Sequence, residues 1–344
     1  MPAALTSTPT SRRQFLALLG ISAAAVSCGT ATATGGGPGR QVTTLKYQGS
    51  AGAVTLPELA ADLGYFEDLT LEWVGNTISG PQDIQAAATG QTHFGSAFNG
   101  AVIKLAAGKA PIKAVISSYG SDQYSYAGYF VLEDSPIRSA RDLIGKKVGM
   151  NTLGAHYQAL LDTYLARSGL SKTEAAKVEA LVIPPVNTEQ ALRAKQVEVG
   201  VLTGILRDKA LASGGIRPLF TDVELLGPFS AGTYIMTERF IQQNPDTVRT
   251  FVTGVAKAIE WSRTTPREEA VARMTEIVKK RGRGEDTTAL QYWRSFGIAE
   301  TGGRIPDQEF QLWLDWLGER GEIKQGQFTP ADLYTNEFNA YGKG

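Results

Sequence analysis

The sequence predicts an α/β protein built from two domains, and three observations support this class. From about residue 43 onward, short apolar runs of strand length alternate with segments of helical spacing, which is typical of parallel sheets covered by helices. The chain has 344 residues, of which 42% are hydrophobic, so it can build a large core. Positive and negative residues balance at 34 each, which argues against a nucleic-acid-binding protein.

Residues 1–27 are predicted to be a signal peptide. Arg12 and Arg13 precede an apolar run over 15–26, which is too short to span a bilayer. The paired arginines indicate export of the folded chain by the Tat route. The alternative is a chance pair of arginines within a Sec signal.

Cys28 is predicted to be the lipidated residue at the mature N-terminus. It is the single cysteine of the chain and follows Ala25-Val26-Ser27, which resembles a lipobox with Ala25 in place of the usual Leu. Cleavage after Ser27 by the other signal peptidase is the alternative. Residues 28–40 are then predicted to form a flexible tether. Lipidation would anchor the protein on the outer face of the cytoplasmic membrane, in the periplasm or at the cell surface.

The first lobe is predicted to comprise residues 41–125 and 233–344, and the second lobe residues 126–232. In open α/β sheets, ligands bind at the carboxyl ends of the strands. In the first lobe this rule selects polar, small and aromatic residues at three strand ends, for which turn or cap chemistry is the alternative reading: Gln48, Ser50, Thr77, Ser79, Gly80, Phe98 and Asn99.

The stretch 142–157, DLIGKKVGMNTLGAHY, predicts a turn, a buried strand and the start of a helix in the second lobe. Unpaired N–H groups at such a helix start suit a small anion or a polar solute. The binding residues predicted here and along two later strands are Asn151, Thr152, Gly154, His156, Thr203, Phe229 and Tyr234. Arg207 has two possible roles, either reaching an anionic ligand or lying exposed on its helix.

Sequence signals for helix starts and for buried helix faces recur along the chain. Capping boxes are predicted at Thr55 with Glu58, Ser79 with Gln82, and Asn187 with Gln190. Later helices are predicted from Asn244-Pro245 onward and over 268–280, 287–296 and 306–317, with Trp313 and Trp316 in the core.

Several motifs occur in an order that resembles the solute-binding proteins of ABC importers for sulfonates, taurine and nitrate, a group that includes thiamine-pyrimidine binding proteins. They are LGYFED at 63–68, ATGQ at 88–91, SARDLIGKKVG at 139–149 and ARSGL at 166–170, and the resemblance covers residues 41–344. It implies a type II periplasmic-binding-protein fold, with two α/β lobes, two crossover strands and a ligand cleft between the lobes. His93 stands where this family usually carries Asp, and is expected to be a surface or capping residue.

The predicted pocket loops contain no Asp, Glu, Lys or Arg. We therefore expect a small organic anion, such as an aliphatic sulfonate, taurine or a nitrate-like ion, held by neutral donors. A neutral or heteroaromatic solute such as a thiamine pyrimidine precursor is the alternative.

The resemblance implies an importer receptor with ABC permease and ATPase partners. We expect a monomer that is not an enzyme and has no catalytic residues, cofactor, metal or nucleic-acid partner. A ligand-sensing lipoprotein remains a second possible role.

Overall fold

The structure is a computed structural model and describes residues 41–342. The predicted signal peptide, Cys28 and the tether lie outside the described residues. Within 41–342, no helix combines the length and apolar character that a membrane crossing needs.

The strands and helices alternate as the sequence predicts. The strands are β1 (Thr44–Gly49), β2 (Thr70–Asn76), β3 (Gly95–Phe98), β4 (Ile112–Ser121), β5 (Ala127–Leu132), β6 (Lys147–Met150), β7 (Glu179–Val182), β8 (Val199–Thr203), β9 (Ile216–Thr221) and β10 (Phe229–Thr237). The helices are α1 (Leu56–Asp62), α2 (Gly80–Ala88), α3 (Asn99–Ala107), α4 (His156–Arg167), α5 (Lys172–Ala175), α6 (Pro185–Arg193), α7 (Gly204–Ala212), α8 (Asp222–Leu226), α9 (Glu238–Gln243), α10 (Pro245–Thr264), α11 (Arg267–Lys280) and α12 (Gln308–Glu319).

The first lobe contains two sheets, one of β1 and β2 in parallel and one in which β10 runs antiparallel between β3 and β4. His93 joins these sheets. Its Nδ1 accepts a hydrogen bond from the Lys46 backbone N at 2.8 Å, and its own N donates to the Lys46 carbonyl at 2.9 Å. The half-buried His93 therefore has a capping role at the edge of β1.

The second lobe contains one sheet in the order β7-β6-β8-β5-β9. The strands β6, β7 and β8 are parallel, and β5 runs antiparallel to both β8 and β9. Strand β9 has no counterpart among the strands that apolar runs predict, which are 43–48, 69–74, 94–98, 111–118, 127–132, 148–150, 180–183, 197–202 and one within 226–236. It carries Arg217 and Pro218 and lies at the sheet edge, where a proline is tolerated because the outer N–H groups need no strand partner.

The helix signals are confirmed in part. Thr55 and Glu58 form the predicted capping box, with the Glu58 N donating to Thr55 Oγ1. The Ser79 side chain makes no cap hydrogen bond. The box at Asn187 is absent because α6 begins earlier, at Pro185, a residue type suited to the first helical turn. The helix predicted over 287–296 is reduced to a 3₁₀ turn at Thr288–Tyr292.

Apolar packing continues from one lobe to the other. One core cluster fills the first lobe and includes Leu45, Phe66 and Phe251. A larger cluster runs from Phe98 in the first lobe to Leu160 in the second. Apolar side chains from both lobes therefore share one water-excluded contact.

Two buried charged side chains hold the first segment that connects the lobes. The Asp222 carboxylate accepts hydrogen bonds from the Ser121 hydroxyl, at the end of β4, and from the Ala127 N, at the start of β5, the latter at 3.1 Å. Arg207 on α7 donates to the carbonyls of Tyr124 and Tyr126 between the same strands. The chain returns to the first lobe at Phe229, where β10 begins, slightly before the boundary predicted at 233.

Candidate ligand-binding site

The predicted residues of the first lobe lie in loops that meet at the carboxyl edge of its strands. The Thr77 N donates to the Gly49 carbonyl at 3.0 Å, and Thr77 Oγ1 donates to the Ser79 carbonyl at 3.0 Å. A Cβ atom on Gly80 would lie 2.9 Å from Ala97 Cα, so only glycine permits this approach of α2 to β3.

At the end of β1 the side chain of Gln48 is half-buried, and its Oε1 atom has no hydrogen-bond partner. Ser50, two residues on, is also half-buried, and its carbonyl accepts a hydrogen bond from the Ala53 N at 3.3 Å.

The second lobe contributes a matching set of strand ends. Asn151 follows β6 and Thr203 ends β8, and both line a cavity of about 30 Å³ together with Tyr157. Its other lining residues are Pro185, Thr188, Val201, Leu202 and Leu206. This volume suits a water molecule and is far below the roughly 300–1,000 Å³ of ligand pockets. All of its lining residues belong to the second lobe, so this cavity by itself is not the space for a solute between the lobes.

The loop between β6 and α4 contains Thr152 and Gly154, both half-buried. Gly154 adopts a φ of 67°, a conformation that favours glycine. Its N donates to Gln158 Oε1 at 2.6 Å, which fixes the approach to the start of α4.

His156, the first residue of α4, lies at the centre of an aromatic cluster. The ring centroids around its imidazole are those of Phe98 at 5.0 Å, Tyr157 at 5.1 Å, Phe229 at 5.9 Å, Tyr119 at 6.2 Å and Trp313 at 6.2 Å. We call these six residues the His156 cluster. Four of its rings come from β3, β4, β10 and α12 of the first lobe, whereas His156 and Tyr157 come from the second lobe, so the cluster joins the lobes.

The imidazole of His156 is neutral. Its side chain is buried, with 6% of the residue exposed, and this burial lowers the pKa of His156 to about 3. Neither Nδ1 nor Nε2 has a hydrogen-bond partner. A neutral imidazole carries one donor and one acceptor, and leaving a buried polar group unpaired costs about 1–3 kcal/mol.

A second polar group lies beside the cluster, on the turn of α12 that precedes Trp313. Glu309 Oε1 accepts a hydrogen bond from the Ser230 N at 2.8 Å, while Oε2 has no partner. Burial raises the pKa of Glu309 to about 8, so this carboxyl group is protonated at neutral pH. The fully buried Asn99 donates from Nδ2 to the Glu309 carbonyl at 3.3 Å, and its Oδ1 also has no partner.

An ion pair also joins the lobes outside the cluster. Arg320, just after α12, pairs with Asp162 on α4 at 2.5 Å. Within the first lobe, Lys104 on α3 pairs with Glu322 at 2.6 Å, next to the Arg320 pair. These charges belong to segments that the sequence did not assign to the pocket.

Two sequence expectations need correction. Tyr234 was expected to wall the ligand, but it lies in the first-lobe core with its ring edge-on to Phe94 at 5.7 Å and Phe251 at 5.9 Å. Both roles expected for Arg207 are wrong, because the residue is only 1% exposed and its donors are taken by Asp208 and two backbone carbonyls.

The sequence reasoning also missed two members of the cluster. Trp313 was assigned to the core, and Tyr119 was assigned no role. Tyr119 lies in β4, one residue beyond the strand predicted over 111–118. Its position next to that apolar run was the one signal in the sequence that could have identified it.

The fold and this site define a two-lobed binding protein of the periplasmic-binding-protein type, with the strand ends of both lobes turned toward each other. A family model described as NMT1/THI5 like matches residues 57–269. The chain therefore belongs to the NMT1/THI5-like family, and the resemblance drawn from its motifs is confirmed.

Comparisons with individual proteins agree with this assignment. A protein of Brucella abortus (strain 2308), described only as a binding protein, is 25% identical over 271 residues, which cover 76% of this chain and 79% of that protein. Among solved structures, the alkanesulfonate-binding protein SsuA from Xanthomonas axonopodis pv. citri, bound to MOPS, matches with a TM-score of 0.65 at 18% identity, covering 86% of this chain and 100% of that one.

Two further structures show how varied the proteins on this fold are. The periplasmic nitrate-binding protein NrtA from Synechocystis PCC 6803 matches with a TM-score of 0.65 at 14% identity, covering 86% of this chain and 87% of that one. The desulfurization enzyme DszB matches with a TM-score of 0.58 at 16% identity, covering 86% of this chain and 97% of that one. At these identities the matches establish the fold alone.

Proposed function

We propose that this protein is the extracytoplasmic solute-binding receptor of an ABC importer, and that its solute is a small organic acid carrying an aromatic or heteroaromatic ring. The His156 cluster is the observation that carries the proposal. It gathers aromatic rings from both lobes at the point where the strand ends of the fold converge. Ligand sites of this kind combine apolar and aromatic walls with a few polar groups.

The character of the site explains the preference for a ring. Nitrate has no apolar surface to bury against aromatic side chains, whereas a ring gains free energy from the area it removes from water and from favourable aromatic contacts. The acid group would lie toward the start of α4, where the backbone N–H groups and the helix dipole favour negative charge.

An aliphatic sulfonate or a nitrate-like anion is the second candidate. It is favoured by the absence of carboxylates from the predicted loops and by the names of the sulfonate- and nitrate-binding structures that share the fold. The two candidates differ in the apolar surface that the ligand brings to the His156 cluster.

Transport requires that a permease recognise the form of the protein in which the lobes are closed. A hinge at the Ser121–Ala127 link and at the start of β10 would allow this closure, and ABC permease and ATPase subunits are the proposed partners. Export by the Tat route and anchoring through Cys28 belong to the same proposal. A lipoprotein that reports its ligand to a sensor would use the same closure.

A binding role also has to be separated from catalysis, since DszB shows that the fold can carry an enzyme. A receptor should return its ligand unchanged. Incubation of the purified chain with benzenesulfonate and biphenyl-2-sulfinate, followed by an assay for released sulfite, should give no product above the protein-free control. Sulfite release at a rate proportional to protein concentration would contradict the receptor role.

A thermal-shift panel tests the solute class on the purified full-length chain. The ring-bearing probes are nicotinate, benzenesulfonate and 4-amino-5-hydroxymethyl-2-methylpyrimidine, and the matched probes without a ring are taurine, methanesulfonate and nitrate. A ligand at about a hundred times its Kd adds about 2.7 kcal/mol of stability. Shifts from nicotinate or benzenesulfonate without shifts from the ring-free probes support the proposal. A shift from the pyrimidine alone, which has no acid group, contradicts the acid part of it, and shifts from taurine, methanesulfonate or nitrate alone favour the second candidate. If no probe shifts the melting temperature, both candidates are wrong.

A further inference from the structure

We propose that His156 is a specificity-determining residue of this site, whose imidazole forms a hydrogen bond with a ring heteroatom of the solute. The receptor would then select heteroaromatic acids, such as pyridine derivatives, over the corresponding benzene derivatives. This inference rests on the proposed function and adds the chemical group that the site recognises.

The first argument is the unusual state of the imidazole. His156 is 6% exposed, and neither of its ring nitrogens has a hydrogen-bond partner. Buried polar side chains in proteins are almost always paired, and an exception calls for an explanation. A solute that supplies the missing partner accounts for a histidine where a phenylalanine would pack against the same rings without this cost.

The second argument is position. His156 starts α4 in the second lobe, and four of the five rings around it belong to the first lobe. Separation of the lobes would therefore draw the imidazole away from Phe98, Phe229 and Trp313. The opening would lie between aromatic walls, with a neutral donor and acceptor on one side.

The third argument is charge. Burial keeps the imidazole neutral at physiological pH by lowering the pKa of His156 to about 3. It therefore offers a donor to a ring nitrogen without bringing a positive charge. A site that hydrogen-bonds a polar ligand atom discriminates against an analogue that lacks this atom, because the protein group is then left unpaired.

The test compares two probes that differ in one ring atom, pyridine-3-sulfonate and benzenesulfonate. Isothermal titration calorimetry on the full-length chain gives the ratio of their Kd values. We expect pyridine-3-sulfonate to bind about three- to tenfold tighter, the range that one hydrogen bond supplies. His156→Phe should bring this ratio to about one, and His156→Gln, which keeps a donor and an acceptor, should retain part of the preference.

A structural role for His156 gives a different pattern. If the residue only fills space, His156→Phe leaves the ratio unchanged, and this result would overturn the inference. The urea midpoint of unliganded His156→Phe should equal or exceed that of the wild type, because two unpaired polar atoms are removed. A lower midpoint would show that the imidazole nitrogens stabilise the fold itself, which also counts against the inference.

The outcomes separate this inference from the proposed function. If the wild type binds both probes equally, the inference is wrong and the proposed function stands. If the wild type binds neither probe, the inference fails, and the thermal-shift panel decides separately whether the proposed function stands. Should His156→Phe not fold, the wild-type ratio and the His156→Gln ratio still decide, because equal affinities in both proteins contradict a hydrogen bond.

Discussion

The guanidinium group of Arg207 ties the second lobe to the first segment that connects the lobes. It is 1% exposed and donates to the carbonyls of Tyr124 at 2.6 Å and Tyr126 at 2.9 Å. It also pairs with the neighbouring Asp208 carboxylate at 2.5 Å and lies 3.7 Å from the centroid of the Tyr126 ring. All of these contacts depend on one side chain, so its removal should have a large effect.

Arg207→Met keeps most of the side-chain length and removes the charge and the donors. The Asp208 side chain, 9% exposed, would be left with the Arg294 guanidinium at 3.9 Å. Removing one partner of a buried ion pair costs about 3–5 kcal/mol, because the other charge stays buried without compensation. We therefore expect the free energy of unfolding to fall by about this amount, slightly offset by Arg294.

Urea unfolding followed by circular dichroism measures this loss as a shift in midpoint at constant slope. Lys279→Met is the matched control, since Lys279 pairs with Glu276 on the surface at 3.1 Å with both side chains about 60% exposed, and such pairs contribute at most about 1 kcal/mol. The double variant Arg207→Met, Asp208→Leu should recover part of the loss, as a double-mutant cycle would show. A loss below about 1 kcal/mol for Arg207→Met would refute the reasoning.

Three further predictions test other parts of the structure. Because burial raises the pKa of Glu309 from 4.5 to about 8, the folded state keeps a proton that the unfolded chain has released; stability should fall as pH rises from about 4.5 to 8. Glu309→Gln should flatten this fall in urea midpoints, and an unchanged pH profile would contradict the assignment. Gly232→Ala would place a methyl group in the Tyr119 ring and should cost about 1–3 kcal/mol, whereas Gly318→Ala, with nothing within 4 Å, should stabilise by about 0.5–1 kcal/mol; equal effects on melting temperature would count against the packing described. Cys28→Ala should release the protein from membranes in a cell-fractionation assay, and retention in the membrane fraction would show that the cysteine is not the anchor.

The sequence predicted much of the fold because its signals are local. Strand β5 at Ala127–Leu132 falls where an apolar run indicated it, and α10 begins at the predicted Pro245. The missed strand β9 carries an arginine and a proline at positions that an edge strand tolerates. Its pairing with β5 depends on residues far away in the chain, so no local pattern could reveal it.

The candidate site, like the fold, was predicted only in part. The strand-end rule brought Phe98, His156 and Phe229 into the prediction, and the structure places these three side chains together. It also selected Tyr234, which packs in the core because it points to the other face of the first-lobe sheet. A shift of one residue along a strand moves a side chain to the opposite face, and only the register of β10 decides which face holds which residue.

The sequence by itself determined the class of fold and most of its strands and helices, because apolar periodicity, turn residues and motif order are carried by neighbouring positions. Only the tertiary structure decided that Trp313 and Tyr119 join His156 and that Arg207 is buried against the segment that connects the lobes. These outcomes depend on contacts between segments that are distant in the chain, and on burial, which determines whether a charged or polar group stays solvated, finds a partner or changes its protonation.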